Sequence, residues 1–170
     1  MMGIDNRLKK ISDMVRGGVV ADIGSDHAYL PIWLVQSGKA KKAYAIDVSE
    51  RCVERAKKNI ERHGIPEDAI IPVVSDGMSC FEGGYDFSEL SDIVIAGMGG
   101  ESISRILENA RYSFELGGIN FVFQPSRKIG FLKTYLSENN FCIRQCAIAE
   151  SKKRFYAIIN AVGGESRGRV

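Results

Sequence analysis

Five short apolar runs recur along the chain, and each ends in small or polar residues: Val19–Asp22, Ala43–Asp47, Ile70–Val74, Asp92–Ala96 and Asn120–Gln124. A loop and usually a segment of helical periodicity separate each run from the next. Strands spaced by a helical crossover lie parallel, and a parallel sheet buries both of its faces under those helices. The pattern therefore predicts a doubly wound α/β domain. In such a sheet, ligands bind beyond the carboxyl ends of the strands, so the residues that close each run become the candidates for function.

The intervening segments carry their own start and stop signals. Leu8, Ile11 and Val15 share one helical face within Arg7–Val15, and Gly17-Gly18 ends that segment. Pro31 suits a first helical turn and Gly38 a stop, which predicts a helix over Leu30–Ser37. Ser49 is a fitting N-cap for Glu50–His63, with Gly64 and Pro66 beyond it. Further helices are expected over Glu101–Asn109 and Lys128–Asn139. Only Ser151-Lys152-Lys153 separates the strand-like runs Phe141–Glu150 and Arg154–Val162, a gap that admits a hairpin and no crossover. Residues 1–162 then form one domain, and 163–170 read as a frayed tail.

A length of 170 residues with 45% apolar side chains suits one globular domain. No apolar run approaches the roughly 20 residues that span a bilayer, and MMGIDNRLKK lacks the apolar core of a signal peptide, so a cytoplasmic protein with no membrane partner is expected. A formal net charge of +2 does not by itself announce a nucleic-acid partner. Basic clusters do occur at Arg7/Lys9/Lys10/Arg16, at Arg127/Lys128/Lys133 and at Lys152–Arg154, and each alone reads as a solvated face. Cys52, Cys80, Cys142 and Cys146 form no zinc pattern and are expected as small buried hydrophobes, with Cys142 and Cys146 on one strand face and no metal bound.

The strand ends are chemically coherent. Gly24, in Asp22-Ile23-Gly24, allows close approach of a ligand to the backbone. Asp47 stands 25 residues after Asp22, where a carboxylate can accept from two ribose hydroxyls. Asp76, followed by Gly77, can accept from the exocyclic amine of adenine. Ala96-Gly97-Met98-Gly99-Gly100 closes the fourth run and Gln124-Pro125-Ser126 the fifth. Singly, the D-x-G, the Asp47 carboxylate and the Asp76-Gly77 pair each have a bland reading as a turn or a helix-end charge; in ordered series they describe a pocket for adenosine without a phosphate requirement. The absence of G-x-G-x-x-G argues against a nicotinamide dinucleotide. Asp26-His27 occupies the place where a generic methyltransferase loop has its second glycine.

DIGSDHAYLP (Asp22–Pro31), IAGMGG (Ile95–Gly100) and Gln124-Pro125 together resemble the signature of the TrmK family. Its members are bacterial S-adenosylmethionine-dependent methyltransferases that modify N1 of adenine 22 in tRNA, and the likeness runs from about Arg7 to Val162. The resemblance implies a Rossmann-like class I methyltransferase fold: a mostly parallel seven-stranded sheet, helices on both faces and a C-terminal antiparallel hairpin. It also implies S-adenosyl-L-methionine as cofactor and tRNA as substrate. Asp22, Gly24, Ser25, Asp47, Val48, Asp76, Gly77, Ala96, Gly97, Met98 and Gly99 carry over to cofactor binding, and Asp26, His27, Tyr29 and Gln124 to catalysis, with Met98, Gly99 and Gly100 also on the reaction side.

On that implication, Asp26 would hydrogen-bond the N6 amine of an extruded adenine and stabilise the cationic product or take its proton. His27 would orient Asp26 or touch phosphate, or be an ordinary turn histidine. Tyr29 would stack on the base or simply pack. Two departures are visible: relatives commonly continue into a C-terminal helical, coiled-coil-like domain with no counterpart in these residues, and many have QPN where this chain has Gln124-Pro125-Ser126. Alternative readings are a class I methyltransferase of small molecules or proteins, and a non-catalytic module that binds S-adenosylmethionine or RNA.

Overall fold

The computed structural model describes residues 2–82, 87–110 and 117–164. In chain order the elements are α1 (Asn6–Met14), β1 (Gly18–Ile23), α2 (Tyr29–Gln36), β2 (Ala40–Asp47), α3 (Glu50–Arg62), β3 (Ile70–Val74), a 3-10 turn (Ser79–Glu82), β4 (Leu90–Ala96), α4 (Gly100–Ala110), β5 (Asn120–Gln124), α5 (Ile129–Glu138), β6 (Phe141–Ser151) and β7 (Arg154–Gly163). Every expected strand and helix is present, with ends moved by up to three residues. Ser49 caps α3 as anticipated, its side chain accepting from Cys52 N. Asp5, which sequence reading passed over, caps α1 by accepting from Leu8 N at 2.9 Å.

All seven strands form one sheet in the order β3-β2-β1-β4-β5-β7-β6. β1 pairs in parallel with β2 and β4, β4 with β5, and β2 with β3, whereas β7 is antiparallel to both β5 and β6. Alternate residues of the central strands feed two cores. Ala21, Ile23, Ile93, Ile95, Phe121 and Phe123 pack with Ile103 and Leu107 of α4 and Leu132 and Leu136 of α5. On the other face, Val20, Val94 and Val122 meet Ile11 and Met14 of α1 and Leu30 and Leu34 of α2, and Ala43, Ala45 and Ile70 meet Ala56 and Ile60 of α3. The sheet is thus covered on both sides, which leaves its carboxyl edge as the open face.

Buried polar contacts fix the direction of α1. Asp92, fully buried in β4, accepts from Arg16 N at 2.8 Å, Gly17 N at 3.2 Å and Asn120 Nδ2 at 2.6 Å. These bonds hold the end of α1 at the amino edge of the sheet, so its first turn lies at the carboxyl edge.

The C-terminal hairpin differs from expectation in three respects. Ser151 pairs with Arg154, so the connection is a two-residue turn of Lys152-Lys153. Register shifts between Ile143 and Gln145, and the extra residue reverses the side-chain alternation. Cys142 therefore faces the side of Val162 and Cys146 the side of Ile159, on opposite faces of the sheet, and both thiols are exposed. Finally, β7 continues through Gly163, and Gly164 N donates to Asn140 O at 2.9 Å; the rest of the expected frayed tail, 165–170, lies outside the described residues.

Candidate active site

The carboxyl ends of β1 to β4 surround a cavity of about 590 Å³. Gly24, Asp47, Val48, Asp76, Gly77, Met98 and Gly99, all expected on the cofactor side from the sequence, line it together. Asp47 is held by its neighbours: Oδ1 accepts from Ser49 N at 2.9 Å and Oδ2 from Asp26 N at 3.2 Å. Its carboxylate is thereby set at the end of β2 with acceptor capacity still available to a ligand. Val48, 65% exposed, forms the rim. The lining combines the carboxylates of Asp47 and Asp76 with the apolar Met78 and Ile106, a combination that suits ribose hydroxyls and a flat heterocycle.

A second cavity, about 280 Å³, adjoins it through Gly24 and is lined by Arg7, Leu8, Asp22, Ser25, Asp26, His27, Tyr29, Leu30, Ala96 and Gly97. Here the structure brings Asp26, His27 and Tyr29 together. Asp26 Oδ1 accepts from Arg55 Nη2 at 2.7 Å, and Oδ2 lies 3.5 Å from His27 Nε2. The His27 and Tyr29 rings stack at 5.1 Å and 8°, and Tyr29 is 44% exposed. Asn59 Nδ2 donates to His27 O at 3.0 Å, tying the loop to α3. Asp26 and Ala28 both hold positive φ, 47° and 56°, so this turn is one that surrounding contacts impose.

Met98 lines the larger cavity and packs on Gly24, the residue common to both linings. Gly24 has φ 77°, a conformation that side-chain-bearing residues rarely adopt, so glycine is required here by conformation; it packs against the terminal methyl of Met98. The Met98 loop is tied to the next strand end through Gly97 N to Gln124 O at 3.0 Å, Ser126 N to Met98 O at 2.8 Å and Gly100 N to Arg127 O at 2.9 Å. A side chain on Gly100 would strike Lys128 O, which explains the second glycine of the pair.

Two buried groups lie beneath the second cavity. Asp22 accepts from Ser25 Oγ at 2.8 Å; burial pushes its carboxyl up to about 6, while the Ser25 hydroxyl and the Arg7 guanidinium pull the other way. Gln124 is only 1% exposed and lines neither cavity; its Oε1 accepts from Arg7 Nη1 at 2.9 Å. The expected catalytic set is therefore split, with Gln124 reaching the second cavity through Arg7.

Sequence reading missed several residues of the site. Arg7, grouped there with a solvated basic cluster, is half-buried at its centre. Arg55 of α3 meets Asp26 across the turn. Ser102, Arg105, Ile106 and Asn109 line the larger cavity from α4, and their i, i+3, i+4, i+7 spacing was a legible helical face. Ile106 Cγ2 would lie 3.1 Å from a Cβ on Gly77, so α4 packs directly on the Asp76-Gly77 turn. Among the described residues no cluster of three or more His, Cys, Asp or Glu could hold a metal, and no helix is long and apolar enough to cross a membrane.

Comparison with known proteins agrees with this geometry. Residues 4–159 match the methyltransferase domain family. The chain is 29% identical over 163 residues to the tRNA (adenine(22)-N(1))-methyltransferase of Bacillus subtilis, covering 95% of itself and 66% of that relative, so it spans just under two thirds of the relative's length. A Streptococcus pneumoniae protein assigned as a tRNA (m1A22) methyltransferase, solved with S-adenosyl-L-methionine, is 33% identical, with a TM-score of 0.85 over 99% of this chain and 77% of its own. M. capricolum TrmK, solved with S-adenosyl-homocysteine, is 26% identical, with a TM-score of 0.81 over 100% and 73%. The chain belongs to the methyltransferase domain family and, within it, to the TrmK family.

Proposed function

We propose that the protein is an S-adenosylmethionine-dependent methyltransferase that modifies N1 of adenine 22 in tRNA. The observation that carries the reading is the pair of cavities that share Gly24, one suited to a nucleoside and the other lined by Asp26, His27 and Tyr29. Asp47 would accept from the ribose hydroxyls, Asp76 from the adenine amine, and Val48, Met78 and Ile106 would enclose the heterocycle. Bound S-adenosylmethionine supplies an electrophilic methyl group on a sulfonium.

N1 lies on the Watson–Crick edge, so the target adenine must leave its stack to enter the second cavity. Tyr29, exposed and stacked on His27, offers a ring face for it. The Asp26 carboxylate, fixed on one oxygen by Arg55, would accept from the N6 amine. A methyl group gained at N1 leaves the base cationic, and Asp26, held by Arg55, would stabilise that charge or accept an N6 proton. Holding the base in one orientation within this cavity would account for much of the expected acceleration.

The test is incubation with labelled S-adenosylmethionine and unmodified bacterial tRNA, followed by nucleoside analysis. Label in 1-methyladenosine is expected, and tRNA with guanine at position 22 should take none. Label in another nucleoside, or in no RNA at all, would overturn the reading.

A further inference from the structure

The β6–β7 hairpin outruns the strand it pairs with. β7 meets β5 last at Ile159–Phe123, which sets Ile158 level with Gln124 at the end of β5, so residues 154–157 continue beyond it, about 14 Å at the usual rise of a strand. Because β7 is antiparallel to β5, the tip projects past the carboxyl edge that carries the candidate site. Tyr156 connects the two: the Arg7 guanidinium lies 5.7 Å from its ring centroid.

We propose that this tip is a contact surface for looped or single-stranded RNA, with Lys152, Lys153 and Arg154 on phosphates and Phe155 stacked on an unpaired base. The inference rests on the reading of the protein as a tRNA methyltransferase. Phe155 is 74% exposed and Ile148 70%, and pairing of Ile148 with Ala157 and Glu150 with Phe155 places both on one face of the hairpin. An aromatic ring so exposed, next to three consecutive cations, has the composition of a stacking platform on an electrostatic ridge.

The turn itself carries a second, independent sign. Lys152 and Lys153 hold φ of 50° and 60°. A two-residue hairpin turn with both central residues left-handed favours Asn-Gly or Asp-Gly, so two lysines there cost turn stability. What they add is two ammonium groups at the outermost point of the hairpin. No ion pair engages Lys152, Lys153 or Arg154 among the described residues. Asp5 and Glu150 border the same shallow hollow as the lysines, but the Asp5 carboxylate is occupied in capping α1.

The turn chemistry provides a clean variant, because Lys152→Asn with Lys153→Gly removes both charges while improving the turn. Binding of unmodified tRNA to the 170-residue chain would be followed by fluorescence anisotropy across a salt series. The double variant should bind at least about tenfold more weakly at low salt, and its slope of log K against log salt should fall by about 1.5. Its melting temperature should be equal or higher and its affinity for S-adenosylmethionine unchanged. Phe155→Ala should weaken tRNA about fivefold or more while leaving the salt slope as it was.

If the parent binds and methylates tRNA and both variants match it, the hairpin proposal falls and the proposed function stands. If the parent neither binds nor methylates tRNA, both fall. If Phe155→Ala alters the oligomeric state and leaves RNA binding intact, the face belongs to a second copy of the chain and the proposal is overturned.

Discussion

Arg7 Nη1 donates to Gln124 Oε1 at 2.9 Å, joining the first helix to the end of β5 across 117 positions of sequence. The guanidinium also lies near the Tyr156 ring and the Asp22 carboxylate, so one cation links three elements beneath the second cavity. Arg7→Ala leaves a buried amide oxygen without its charged donor, a loss of about 1.5–3 kcal/mol in folding stability. Methyl transfer should fall at least about tenfold in single turnover. Arg7→Lys keeps the charge but not the planar fork, and should recover stability more than rate. Parental stability and rate in Arg7→Ala would show that the link is incidental.

Asp22 gives the apo protein a pH dependence of defined sign. Its carboxyl sits at about 6 in the fold against an ordinary 3.8, so the folded state holds the proton more tightly than the unfolded chain. The stabilisation is complete below the unfolded value and disappears as pH rises through about 6; roughly 2 units correspond to about 3 kcal/mol. Asp22→Asn should flatten the stability profile between about pH 4 and 6, as measured by urea denaturation across that range. Parallel profiles for parent and variant would contradict the assignment.

A cationic ligand beside Asp22 favours its ionised form, so S-adenosylmethionine affinity should decline as pH drops below about 6. Calorimetric titration at pH 5 and 7.5 checks this, with Asp22→Asn as the reference that should lose the difference. An affinity independent of pH would place the ligand's charge elsewhere.

Asp26→Ala should cut methyl transfer by at least about 10²-fold with S-adenosylmethionine affinity nearly unchanged. Arg55→Ala leaves the carboxylate in place but frees it to rotate, so it should give a smaller loss. Rates would be compared under saturating cofactor and tRNA; an Asp26→Ala enzyme as fast as its parent removes that carboxylate from the chemistry.

Asp47→Ala should weaken S-adenosylmethionine about tenfold or more, the scale of hydrogen bonds to a charged acceptor, with Asp47→Asn intermediate. Since Asp47 also holds Asp26 N and Ser49 N, melting curves of both variants separate a loosened turn from a lost ligand contact. Unchanged affinity would locate the ribose away from β2.

Strands and their terminal residues were legible because the signals are local: apolar runs, glycines that permit tight turns, and Ser49 at a helix start. Residues on those ends converged for the same reason, since parallel pairing brings every carboxyl end to one edge. Other features had no local signature. The single-residue bulge between Ile143 and Gln145, which parts Cys142 from Cys146, depends on how β6 pairs with β7. Arg7 looked like one more surface cation, and its partner Gln124 lies 117 positions away in the chain.

By itself, the sequence determined the α/β class, the strand ends that would carry chemistry and the candidates Asp22, Asp26, Asp47 and Asp76, because each follows from short-range periodicity and side-chain type. Only the tertiary structure decided which cavity each candidate faces, that Gln124 is buried behind Arg7, and that Gly24 joins the two cavities. Those outcomes depend on strand order and on contacts between residues far apart in the chain, which are fixed when the sheet assembles and its helices dock.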